Sequence, residues 1–158
     1  MKQSNAIFSE DKNYRYVLSR IENPQKEIIM FVGLNPSTAN ESKNDATITK
    51  ITKIVRNNGF GGFYMLNLFG IVSAYPEILT KDIVASVGDN DKYLLEYSQK
   101  VNKIVFCWGG FKEAKERAEI VKKMFPNKNL CYLHLNKDES PKHPLYCADL
   151  QEIKQYKF

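Results

Sequence analysis

Cysteine is scarce in this 158-residue chain, and its three copies, Cys107, Cys131 and Cys147, lie far apart. No C-x-x-C and no Cys/His pair at ligand spacing occurs, so neither a metal site nor any other cofactor is expected. Cys107 and Cys131 fall in apolar runs, where a thiol serves as a small buried hydrophobe. Long apolar runs are missing as well: none approaches the roughly 18 residues of a membrane span. The opening Met1–Asn5 lacks a signal-peptide core. These absences point to a soluble cytoplasmic protein with no membrane partner. No Gly/Ser/Pro-rich linker and no internal repeat divides the chain, so residues 1–158 read as a single domain. The 43% of apolar residues suffice for one core. Nothing in the composition speaks to oligomeric state.

Charge is present in both signs, with 23 Lys and Arg against 18 Asp and Glu, leaving a net +5. A polyanionic partner is compatible with that excess. Much of it, however, is lysine spread over predicted helices (Lys112, Lys115, Lys122, Lys123), as on any solvated helix face. Aromatics are plentiful, yet no basic–aromatic repeat marks a groove for single-stranded nucleic acid.

The run Glu27–Leu34 is almost unbroken in apolar residues, which suits a central strand covered on both faces. It ends in the loop-forming Asn35-Pro36-Ser37-Thr38. Ile48, Ile51, Ile54 and Val55 recur at helical spacing over Thr47–Asn58, and Gly59 fits the stop. A strand over Phe63–Phe69 follows. The pattern then predicts a helix over Asp89–Val101, a strand over Lys103–Cys107, an amphipathic helix over Phe111–Phe125, a strand over Leu130–Leu135 and a short tail helix. Tyr14–Leu18 fits either a strand or a helical turn, and Met1–Asn23 has no assigned role. Strands alternating with helices imply an α/β fold: three layers, αβα, around a mainly parallel four-stranded sheet. Ligands of such sheets bind beyond the carboxyl ends of the strands. There the sequence concentrates Asn-Pro, the only Trp, and His143-Pro144.

Singly, each motif has an ordinary reading. Gly33 suits close packing at a strand exit, Asn67 a cap, Trp108 a core position and His143-Pro144 a rigid loop. Together they resemble the motifs of uracil-DNA glycosylases. Gly33-Leu34-Asn35-Pro36-Ser37 is similar to the first motif of those enzymes. Gly62–Phe69 resembles the strand ending in a base-reading asparagine, Ile104–Phe111 their Trp-Gly strand and turn, and His143–Tyr146 their His-Pro loop. The order is the same, and each motif falls at a strand end. A closer resemblance is to a bacterial and phage family of domains of unknown function. It rests on Leu34–Ala39, Asp45-Ala46-Thr47, Asn67-Leu68-Phe69, Trp108-Gly109 and Pro141–Tyr146.

The resemblance implies a uracil-DNA glycosylase-like fold and a nucleobase N-glycosidase acting on DNA, a nucleoside or a nucleotide. Such chemistry needs a water oriented at the sugar and donors aimed at the departing base. A base in a duplex must also leave its stack. Asn35 corresponds to the water-orienting position, where an amide can position water but cannot act as a base. Asp45 is the nearest candidate carboxylate, with a helix N-cap as its competing role. Asn67 carries both donor and acceptor to read a ring edge. His143 would donate to the base oxygen. Gly33, Leu34, Pro36, Ser37, Phe69, Trp108 and Tyr146 complete the expected ligand-binding set. Ser37 stands where uracil enzymes carry a tyrosine, so uracil selectivity does not follow. Two other functions compete: a non-catalytic binder of a nucleotide-like ligand, and a protein-interaction module. A carboxylate in the pocket would favour the enzyme, and its absence the binder.

Overall fold

The computed structural model describes residues 2–75, 77, 79 and 87–157. Seven strands and three helices are formed among them: β1 (Gln3–Phe8), β2 (Arg15–Ile21), β3 (Ile28–Gly33), α1 (Ala46–Asn57), β4 (Gly62–Asn67), α2 (Asn90–Ser98), β5 (Lys103–Phe106), α3 (Lys115–Lys122), β6 (Asn129–Tyr132) and β7 (Lys154–Gln155). One sheet joins all the strands in the order β1-β2-β4-β3-β5-β6-β7.

The expected three-layer fold around a four-stranded, mainly parallel sheet, the uracil-DNA glycosylase-like arrangement, is corrected by this sheet. It is seven-stranded and mixed. β3 pairs parallel with β4 and β5, and β5 with β6. β1 with β2, β2 with β4 and β6 with β7 are antiparallel. Of the three added strands, β2 takes up the strand alternative for Tyr14–Leu18, and β1 and β7 escape a pattern search for a physical reason. β1 (Q-S-N-A-I-F) is an edge strand, polar and exposed over Gln3–Asn5 and only partly buried over Ala6–Phe8, an apolar stretch too short to stand out. The β1–β2 connection turns through Lys12 in the left-handed region (φ 63°), a conformation the sequence Asp11-Lys12-Asn13 does not advertise. At the other end, the expected tail helix is replaced by β7, two residues paired with Cys131 and Tyr132.

β3 shows why its run is continuously apolar. Ile29 and Phe31 enter one core with Leu18, Phe63, Met65 and Val105, beneath Ile48, Ile51, Ile54 and Val55 of α1. Met30 and Val32 enter the opposite core with Leu66, Ile104 and Phe106, beneath Leu94 of α2 and Ala118 and Val121 of α3. A strand buried on both faces has no position for a polar side chain. Each such aliphatic or aromatic group contributes about 1.5–3 kcal/mol by burial. The helix expected over Phe111–Phe125 is shorter, a 3-10 turn at Lys112–Ala114 leading into α3. All three cysteines are free and buried.

The antiparallel β2 has a consequence for position. Leu18 lies opposite Met65 and Ile21 opposite Gly62, so the start of β2 lies at the carboxyl end of β4. Arg15 stands at that start, its amide donating to the Gly70 carbonyl at 2.9 Å.

Candidate functional site

β3 and β4 end in register, Gly33 opposite Asn67, and the two chains stay paired beyond the sheet. Leu68 N–H donates to the Gly33 carbonyl (2.8 Å), Phe69 N–H to Leu34 (3.0 Å) and Ser73 N–H to Pro36 (2.9 Å). The glycine is required by proximity. A Cβ on Gly33 would lie 2.8 Å from Asn67 Oδ1 and 2.6 Å from Met65 Cε. The Asn67 side chain therefore occupies the space that any larger residue at 33 would fill.

Asn67 is 2% exposed, and its Nδ2 is buried without a hydrogen-bond partner. Its backbone, by contrast, is secured from behind. The Asn67 carbonyl accepts from Asn90 Nδ2 at 2.6 Å, and the Leu68 carbonyl accepts from Asn90 Nδ2 at 3.2 Å and Arg117 Nε at 2.9 Å. Arg117 in turn pairs with Asp91. The strand end is thus fixed while its amide side chain is left unsatisfied, an uncommon and costly combination in a folded protein.

Asn35 behaves differently. Its Nδ2 donates to the carbonyls of Ser73 (2.9 Å), Pro36 (3.2 Å) and Ile71 (3.4 Å). The amide nitrogen is consumed in tying the Asn-Pro loop to residues 71–73, which leaves Oδ1 as the group able to orient a water. Asp45 is the N-cap of α1, its Oδ1 accepting from Ile48 N–H at 3.0 Å. The cap does not remove it from the site, because the same carboxylate borders the cavity.

His143 opens the 3-10 turn Pro144–Tyr146, and its Nδ1 accepts from Leu145 N–H at 3.2 Å. With Nδ1 an acceptor, the neutral ring carries its proton on Nε2 and is a donor there. Burial pushes its pKa below the usual histidine value, against a smaller opposing pull from Asp45. The loop is held by the Trp-Gly turn: Gly109, at φ +81°, donates its N–H to the Pro141 carbonyl at 2.8 Å.

These elements enclose a cavity of about 200 Å³. Gly33, Leu34, Asn35, Pro36, Ser37, Asp45, Asn67 and His143 all border it, together with Arg15, Thr47 and Cys107. Three expected site residues lie elsewhere. Phe69 is fully buried in the core. Trp108 packs on Phe106 with ring centroids 4.5 Å apart and borders a separate groove beside α3. Tyr146 is 76% exposed, edge-on to the His143 ring at 6.1 Å. Cys107 is wholly buried, and desolvation raises its thiol pKa far above the usual value. It is a wall rather than a nucleophile. No group of three His, Cys, Asp or Glu side chains among the described residues could hold a metal ion. None of the helices among them is long and apolar enough to cross a membrane.

Sequence reasoning missed Arg15. It is 3% exposed and borders the cavity, with Nη1 donating to the Ala39 carbonyl at 3.0 Å. The available signal was a cation set among the aromatic and aliphatic residues of Tyr14-Arg15-Tyr16-Val17-Leu18.

The family described as "Protein of unknown function (DUF1643)" matches this chain over residues 15–145. No curated protein and no solved structure matches it. The matched span runs from Arg15 to Leu145 and contains every residue that borders the cavity.

Proposed function

We propose that this chain, which belongs to the DUF1643 family, binds a nucleobase-like ring in the Asn67 cavity and hydrolyses the N-glycosidic bond attached to it. The observation that carries the reading is the buried, unpartnered amide of Asn67. A polar group buried and unsatisfied is stable only at a cost of about 1–3 kcal/mol, which a ligand with a complementary edge recovers. An amide offers a donor and an acceptor side by side, the pattern of a pyrimidine edge. The motif resemblance to uracil-DNA glycosylases supports the same assignment.

In the proposed reaction a water adds to the anomeric carbon as the carbon–nitrogen bond breaks and the electron pair leaves with the base. Asp45 is the carboxylate available to take the water's proton. Neutral His143 donates through Nε2 to the oxygen on which negative charge develops. Asn35, its nitrogen engaged, contributes Oδ1 to hold the water. A second reading, a binder without turnover, is favoured by one observation: Asp45 Oδ1 is already engaged in capping α1.

The variant Asp45→Asn separates the two. Asparagine caps helices about as well as aspartate, so the fold is kept while the charge is lost. Single-turnover base release should be measured on nucleoside monophosphates, nucleosides and single-stranded oligonucleotides carrying modified pyrimidines. The enzyme reading expects release by the wild type and a fall of roughly 10²–10⁴ in Asp45→Asn. Wild-type release that survives Asp45→Asn refutes the assigned base. Ligand binding without release from any of these substrates establishes the binder.

A further inference from the structure

The cavity contains a second unsatisfied group. Arg15 has three guanidinium nitrogens, and one has a partner: Nη1, on the Ala39 carbonyl. Nε is buried with no partner, and Nη2 makes no hydrogen bond among the described residues. No carboxylate among those residues lies within ion-pair distance of it. Asp45 acts on Arg15 only through space. Burial lowers the Arg15 pKa to about 10, which leaves the group cationic at neutral pH.

Holding a loop carbonyl does not account for this arrangement. Arg20, five residues further along β2, holds the same loop with all its nitrogens engaged. Its Nε donates to Asn44 Oδ1 (2.9 Å), Nη1 to the Ser19 carbonyl (3.0 Å) and Nη2 to the carbonyls of Asn40 and Lys43. Arg20 is also less enclosed. Arg15 leaves one edge unpartnered: Nη2, which is not sealed from solvent, and Nε, which is; with a small shift of the side chain their two parallel N–H groups match two oxygens of a carboxylate or phosphate. A buried cation without a counter-ion is the arrangement proteins avoid unless a partner arrives from outside.

We infer that Arg15 is the oxyanion subsite of this cavity, so that its ligand is a small molecule carrying a terminal phosphate or carboxylate alongside the ring. The ring assignment rests on the reading of Asn67 given above; the oxyanion assignment rests on Arg15 itself. The terminal position follows from the burial of the guanidinium and the small size of the cavity. A cavity of about 200 Å³ is below the 300–1,000 Å³ typical of drug-sized ligands. A phosphodiester inside a polymer would have to bring chain in and lead it out past a guanidinium that is 3% exposed.

Calorimetric titration of paired probes tests this. One pair is a pyrimidine nucleoside 5′-monophosphate and its nucleoside; the other is 6-carboxyuracil and uracil. In the wild type the charged member of one pair should bind at least about tenfold tighter, and the pair that shows the gap identifies phosphate or carboxylate as the source. Arg15→Met should close the gap to less than about threefold, while Arg15→Lys, which keeps charge without the planar edge, should retain part of it. No gap in either pair for the wild type overturns the inference without any variant. So does a gap undiminished in Arg15→Lys, which decides the matter if Arg15→Met fails to fold. A single-stranded tetranucleotide that binds as tightly as the monophosphate overturns the terminal position. Arg15-dependent binding of inorganic phosphate with no binding of either ring would retain the subsite and remove the glycosidase reading. Base release with no charged–neutral gap would do the reverse.

Discussion

Replacing Asn67 with alanine should leave the fold as stable as the wild type, or more stable, while disabling the site. The wild type leaves Nδ2 buried and unpartnered, and no hydrogen bond to Oδ1 is formed among the described residues. Truncation therefore removes an unsatisfied group that costs about 1–3 kcal/mol. Against that gain stands the loss of the amide's packing contacts. Those are limited, because the side chain faces a cavity on one side and the Cβ-less Gly33 on the other. The balance lies between no change and a gain of about 2 kcal/mol, or a melting temperature up to roughly 4–8 °C higher for a chain of this size. Ligand affinity should fall by about 5- to 150-fold, the equivalent of about 1–3 kcal/mol for losing one paired amide. Asn90→Ala is the internal control. It removes donated bonds to the Asn67 and Leu68 carbonyls but also Oδ1, which is buried without a partner, so it should cost about 1 kcal/mol, with the lost bonds outweighing the relief. Urea unfolding with unchanged m-values measures both variants, and titration with a nucleoside monophosphate measures the site. If Asn67→Ala loses more than about 1 kcal/mol, or binds as the wild type does, the amide is a structural group and the reasoning fails.

Two further predictions concern the loops around the cavity. Asn35→Asp should destabilise the fold by roughly 2–3 kcal/mol, because a carboxylate would face the carbonyls of Pro36, Ile71 and Ser73 that now accept from Nδ2. Melting curves should rank wild type above Asn35→Ala and Asn35→Ala above Asn35→Asp; an Asn35→Asp protein as stable as the wild type would contradict the strut. His143 has a depressed pKa in the fold, caused first by burial, so the unfolded chain takes up its proton first as pH falls. Its contribution to stability is complete above about pH 6.5 and declines from there through the lowered folded value. Urea midpoints taken between pH 7.5 and 5 should drop for the wild type and flatten in His143→Gln, with His134 common to both; identical slopes would show that His143 is not held neutral.

The sequence by itself determined the elements whose side chains repeat with a period. β3 is legible because a strand covered on both faces is apolar at every position, and α1 because Ile48, Ile51, Ile54 and Val55 return to one face. It also determined the local devices written into adjacent residues: Asp45 two positions before Thr47 as a cap, and Asn35-Pro36 and His143-Pro144 as loops beyond strand ends. What it could not determine were strands without a long apolar run, β1 and β7, and the direction in which β2 joins the sheet. Hydrogen-bond pairing between strands carries no side-chain signature when the strand is short, polar or at an edge. Those tertiary choices decided the site. Only the antiparallel return of β2 carries Arg15 to the carboxyl end of β4, and only the register of Gly33 with Asn67 leaves an amide buried and unpaired beside it. Neither residue is unusual where it stands in the chain. Each becomes chemically distinct because folding removes water from a polar group and puts no protein partner in its place.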